Sequence, residues 1–189
     1  AADLLHKYGI KFRTFNILGL PGETLDDALS TVQINIDIKT DFPWCSTFMP
    51  FPGTTLTDFA IDHDYVNCDF TVDELTPSFF SKSNLVNHKD IKKLANLQRL
   101  FQTAVLMPWT FKFVKQLIKL PPNIIFTMWF GFIYFLVHIK AEGRTFLKTV
   151  LFTIRNSKRL LDRRNSNNYK DLKESKHGRR RSTRPDFVT

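Results

Sequence analysis

Cysteine is almost absent from this 189-residue sequence: Cys45 and Cys68 stand alone, 23 positions apart. That spacing excludes a disulfide framework, a Cys-x-x-Cys redox motif and a zinc site built on paired thiolates. The two thiols read as structural or incidental groups in a reducing compartment. The opening text AADLLHKYGIKF lacks a basic segment followed by an apolar one, so a secretory signal is not expected. No internal repeat is visible. Acidic residues are scarce at the far end: from Arg155 to Thr189, twelve Lys and Arg face four Asp and Glu, net +8 of the chain's +9. The basic character therefore belongs to an appendage, and the other 154 residues are nearly neutral. The chain also opens without Met and inside helix-like text, which reads as a piece of a longer protein.

Against these absences stand nineteen Phe and a hydrophobic fraction of 43%, enough for a packed core. Ala2 to Tyr8 resembles the last turns of a helix, with Gly9 where a left-handed cap costs little. Ile10 to Leu18 is rich in β-formers on both faces, the pattern of an interior strand of a parallel sheet. The corner GLPGE follows. Thr24 is placed to cap a helix, with Asp27 three positions on and Asp26 in the first turn. Behind it Leu25, Leu29, Val32 and Ile36 recur at helical spacing. A second strand is expected over Trp44–Met49, then a second corner, PFPGT, and a short helix carrying Leu56, Phe59 and Ala60. This alternation predicts an α/β fold with a parallel sheet. Two strands alone fall short of an independent sheet domain, so the module of residues 1–65 is incomplete as written.

Residues 66–87 read as a polar connector, and 88–161 as a helical extension. Its first helix, 88–106, places Ile91, Leu94, Ala95, Phe101, Ala104 and Val105 inward. Pro108 opens a second, with Trp109, Phe111 and Phe113 beside Lys112, Lys115 and Lys119, a mixture suited to a membrane surface or to an ordinary amphipathic helix. Ile124–Ile139 is the most apolar run in the chain, sixteen residues or roughly 24 Å as a helix against a hydrocarbon core of ~30 Å. Three fates fit it: packing helix, interfacial helix or membrane span. Phe146, Leu147, Val150, Leu151 and Ile154 predict one more amphipathic helix, and 162–189 a disordered basic tail.

The chemistry of the first part lies in its corners. Gly19 and Gly22 permit positive φ and let a flat ligand approach without a Cβ in the way, while the next helix directs free N–H groups at the same mouth. In α/β sheets ligands gather at the carboxyl ends of strands. A Pro-Gly corner by itself is equally a plain tight turn. Taken with their order and separation, however, Tyr8-Gly9-Ile10, Phe15–Thr24 and Phe48–Thr54 resemble the later strands of the radical S-adenosylmethionine enzymes. Asn96–Phe101 and Leu117–Pro122 more loosely resemble the C-terminal extension of the cobalamin-binding branch.

The resemblance implies the C-terminal piece of a partial (β/α)6 barrel. It implies that Ile17, Gly19 and Glu23 take the places of a Gly-x-Ile-x-Gly-x-x-Glu pattern lying against the cofactor's adenine, with Gly22 in the same corner. Phe48 and Met49 are the candidates from the sixth strand, and Glu23 fits a structural role at the helix start better than ligand contact. The sequence departs from the pattern with Phe15 at the first Gly and one extra residue before the Glu. The family's Cys-x-x-x-Cys-x-x-Cys loop is also missing, so this polypeptide alone is expected to hold no [4Fe–4S] cluster and to be inactive. The parent would cleave S-adenosylmethionine at the cluster, for radical or methyl-transfer chemistry on an unknown substrate. Its partner would be the missing N-terminal part of the barrel. A methylthiotransferase-like parent without cobalamin is the nearer rival.

A rival of another class is a membrane-peripheral interaction protein, cytoplasmic but held to an anionic surface by residues 108–139 and the tail. Asp62-His63-Asp64 reads as a solvated helix end, since three adjacent residues cannot face one ion. Arg179–Arg184 lacks interleaved aromatics, so no specific nucleic-acid partner is expected; a solvated tail is the default.

Overall fold

The computed structural model describes residues 1–71, 75, 80 and 85–143. The expected helix around Phe146–Ile154 and the tail from 162 lie outside the described residues. The chain divides into two units, Ala1–Ala141 and Glu142–Thr189, and all that follows concerns the first. It is a mixed α/β structure with six helices and a two-stranded parallel sheet among the described residues.

Helix α1 (Ala2–Lys7) ends at Gly9, φ +68°, before strand β1 (Arg13–Leu18). The crossover helix α2 (Leu25–Asp37) begins with the full reciprocal cap: the Asp27 N–H donates to Thr24 Oγ1 at 3.2 Å and the Thr24 N–H to Asp27 Oδ2 at 3.0 Å. Strand β2 (Phe42–Thr47) then pairs with β1 in the register Arg13↔Phe42 to Leu18↔Thr47. Helix α3 (Thr55–Asp62) follows, capped by Thr54. The second half is helical: α4 (Ile91–Leu106), a 3₁₀ turn (Pro108–Thr110), α5 (Phe111–Leu117) and α6 (Ile124–Glu142).

The sheet departs from the expected interior strand buried on both faces. Thr14, Asn16 and Leu18 turn toward α2, whereas Phe15 is 74% and Ile17 51% exposed on the opposite face. Only one helical layer covers β1, so its second apolar stripe stays largely exposed, with the Trp44 ring of β2 beside Phe15. On the covered face α2 and α4 enclose Leu18, Ala28, Val32, Cys45, Leu97 and Phe101, with Leu25, Leu29 and Ile36 packed around them. A polar network threads the same layer: Thr14 Oγ1 donates to Asn35 Oδ1 at 2.6 Å, and Asn35 Nδ2 donates to Asn16 Oδ1 at 2.8 Å.

The two sheet edges differ. The Phe42 N–H donates to Phe12 O and the Phe48 N–H to Leu18 O, so the even residues of both strands face each other. Alternation then sends the backbone groups of Pro43 and Cys45 to the outer edge of β2. There α4 replaces a strand. Gln102 Nε2 donates to Pro43 O at 2.9 Å and Gln98 Nε2 to Cys45 O at 3.1 Å. Two glutamines one turn apart on a helix span about 6 Å, close to the ~6.6 Å between alternate strand residues. Pro43 has no N–H to leave unpaired at that edge. The outer edge of β1, carrying the N–H and C=O groups of Arg13, Phe15 and Ile17, has no strand beside it among the described residues.

Helix α6 is longer than the sixteen-residue apolar run and does not behave as a buried packing helix: Phe126 is its only buried residue, and Ile124, Ile125 and Met128 are about 70% exposed. Leu56 and Phe59 of α3 are likewise exposed, leaving Ala60 and Thr57 as its buried side chains.

Candidate functional site

Because the strands are parallel, both Pro-Gly corners fall at the same end of the sheet. Gly19, Gly22 and Gly53 have φ of +78°, +81° and +85°, conformations that side-chain-bearing residues adopt only under strain. The first corner closes on itself through Glu23, whose carboxylate accepts from the Gly19 N–H and, at 3.1 Å, from the Leu20 N–H. Burial raises the Glu23 carboxyl above its ordinary value, opposed by these two donors and by nearby His88. His88, itself buried, has Nε2 2.9 Å from the Glu23 carbonyl oxygen. The corner is thus pinned to the segment before α4. An open cleft of about 400 Å³ lies beside it, bounded by Gly22–Asp26, Tyr65 and Asn87–Asp90.

The six candidate residues separate into three environments. Ile17 stands on the bare face of β1, on the side where Phe15 and Trp44 place their rings 6.3 Å apart and the Arg13 guanidinium lies 5.7 Å from the Trp44 ring. Gly19, Gly22 and Glu23 form the corner at the strand's end, with the amides of Gly19 and Leu20 engaged by Glu23 rather than free. Phe48 is 7% exposed within a cluster of Ala60, Val66 and Leu85, so its ring is core; Met49 is half-buried. The structure therefore leaves Ile17 accessible and turns Phe48 away from any ligand on the bare face.

No group of three His, Cys, Asp or Glu able to hold a metal occurs among the described residues. Cys45 is 4% exposed in the core, its thiol pushed well up by burial and by the charge of Glu23, while Cys68 is exposed. Two thiols in such different places do not fit a [4Fe–4S] cluster, which takes closely set thiolates. At the DHD segment, His63 stacks on Phe59 with ring centres 4.0 Å apart and bonds the Phe59 carbonyl through Nδ1, a helix-end arrangement.

Sequence reasoning missed the pair Gln98 and Gln102. The available signal was polar residues at i and i+4 inside the apolar face of Leu94, Leu97, Phe101 and Val105. No protein-family model matches the chain, and neither the curated proteins nor the solved structures give a match to it.

Proposed function

We propose that this chain is the C-terminal piece of a radical S-adenosylmethionine enzyme of the cobalamin-binding type, β1 and β2 being the fifth and sixth strands of its partial (β/α)6 barrel. The observation that carries the reading is the asymmetry of the sheet. The outer edge of β2 is closed by Pro43, Gln98 and Gln102, as befits a terminal strand, while the edge and one face of β1 are bare. Preceding strands would pair along Arg13–Ile17 and turn Phe15 and Ile17 into the barrel's inner wall, beside a Trp44 ring already packed against Phe80 and Tyr134. Ile17 would then contribute an apolar contact to adenine, with Gly19 keeping the strand end low beside it. Glu23 holds the corner's shape through the Gly19 and Leu20 amides and Phe48 packs its outer side. The radical-forming cluster would be held by residues of the missing part; the chain's own thiols do not suit it.

The test is the protein as the cell makes it: mass spectrometry of the native product and its transcript. A Cys-x-x-x-Cys-x-x-Cys segment about 120 residues before Gly19, the length of four βα units of roughly 30 residues, is the expected result. A mature protein that lacks that motif overturns the proposal. In either case the chain by itself is expected to give no heat with S-adenosylmethionine in calorimetry.

A second reading rests on a separate observation, the exposed apolar helix Ile124–Glu142, whose 19 residues reach about 28 Å. On that reading the protein is held at a membrane.

A further inference from the structure

The second reading leaves open how such a helix would meet a bilayer, and the following rests on that reading. Helix α6 is apolar around its whole circumference, a property of helices that are buried or lipid-facing. Its two sides have different neighbours. Phe130 and Tyr134 have ring centres 5.5 and 5.7 Å from that of Phe80, and Tyr134 lies 5.3 Å from Trp44 of β2. Phe126 joins the main core, and Trp129 Nε1 donates to Thr103 Oγ1 of α4 at 2.8 Å. These contacts run from the helix start to its third turn and bind α6 lengthwise to the folded body. A helix held so cannot cross a bilayer unless β2 and α4 enter it too.

The opposite side carries Ile125, Met128, Phe132 and Leu136, spaced i, i+3, i+7 and i+11, with exposures of 71, 70, 54 and 43%. Nothing among the described residues covers this stripe. On α5 and its approach, Trp109, Phe113 and Leu117 form a second exposed row, and Lys112 and Lys115 stand over the Phe113 and Phe111 rings at 5.0 and 4.5 Å. Between Ile91 and Ala141 the sequence has seven Lys and Arg and no Asp or Glu. A protein partner's apolar patch would ask for no such one-sided charge; an anionic bilayer does.

We infer that α6 docks in the plane of an anionic lipid bilayer. The Ile125–Leu136 stripe lies among the upper acyl chains, and the α5 lysines meet the headgroups. Interfacial helices bury their apolar face only about 5–10 Å, a depth that keeps the attached body in water.

The full chain is mixed with phosphatidylcholine vesicles with and without phosphatidylserine, at low and high salt. Tryptophan quenching is read with bromolipids labelled near the headgroup or near the bilayer centre. Expected are salt-sensitive partition onto the anionic vesicles and strongest quenching by the shallow label. M128E/F132E is expected to lower partition at least tenfold with unchanged circular dichroism, since both side chains are exposed. K112E/K115E/K119E leaves the stripe intact and is expected to cost about fivefold for each lysine lost.

Equal binding to neutral vesicles, full affinity in the lysine variant, or deepest quenching at the bilayer centre overturns the inference while membrane association stands. No binding to either vesicle at low salt overturns both. Self-association under those conditions, abolished by M128E/F132E, then assigns the stripe to a second copy of the chain. None of these outcomes bears on the barrel proposal.

Discussion

Replacing Gln98 and Gln102 one at a time by Met, of similar length and flexibility, should destabilise the protein unequally. Both side chains are nearly inaccessible, at 2 and 4% exposure, and each gives one hydrogen bond to a carbonyl of β2. Removing the donor leaves a buried acceptor unpaired, a cost of about 1–3 kcal/mol. For Gln98→Met that cost stands whole, about 2 kcal/mol. Gln102 differs because its own Oε1 is buried without a partner among the described residues. Gln102→Met abolishes that unpaired oxygen and recovers a penalty of about the same 1–3 kcal/mol, leaving a net change of ~1 kcal/mol or less. Urea unfolding followed by far-ultraviolet circular dichroism separates the two. With a slope of about 2 kcal/mol per molar, Gln98→Met should lower the midpoint by roughly 1 M and Gln102→Met by less than half as much. Equal losses, or a larger one for Gln102→Met, would refute the account of α4 as the cover of the β2 edge.

Phe101→Ala, at a fully buried position between the helices and the sheet, is expected to cost about 3–5 kcal/mol in the same assay. Gly22→Ala forces a side chain into φ +81° and should cost about 1–2 kcal/mol through backbone strain alone, because the added Cβ meets nothing nearer than the Tyr65 hydroxyl at 4.0 Å. The Asp27 carboxyl lies below its ordinary range through its bonds to Thr24, so its stabilisation is present above the unfolded pKa and fades as pH falls through the lower, folded one; Thr24→Ala should flatten that acid limb of a stability–pH curve. A thiol reagent should modify Cys68 alone in the native protein and both cysteines in urea, since Cys45 is buried and its thiolate disfavoured; rapid native labelling of both would contradict the core described above.

Local features were the legible ones. The Thr24–Asp27 cap, the positive φ at Gly19 and Gly22 and the α2 stripe are written in residues close together in sequence, where propensity and spacing act directly. Strand positions were less so: β2 starts at Phe42, two residues before the expected Trp44, because pairing with Arg13 decides its limit and no local signal does. Tertiary partners were not legible. Whether Phe48 faces a ligand or the core depends on Val66 and Leu85, which join it from the far side of α3. The exposure of Phe15 and Ile17 was hidden for a similar reason: a run apolar on both faces states what a strand needs, and only the surrounding elements decide whether it is supplied. Helix α6 shows the same limit, since composition alone fits packing, interfacial and spanning helices equally.

The unequal edges of the sheet also set a stoichiometry. An exposed strand edge invites pairing with another copy, and a sheet open at both sides can add copies without end. Here the β2 side is blocked by the two glutamines and by a proline that cannot donate, so among the described residues β1 alone presents an open strand edge. Where no preceding strand occupies it, two molecules meeting along Arg13–Leu18 would consume the one strand edge left open among the described residues and form a closed pair with twofold symmetry. Association through this sheet edge stops at two, because the covered β2 side gives a third copy no strand to extend.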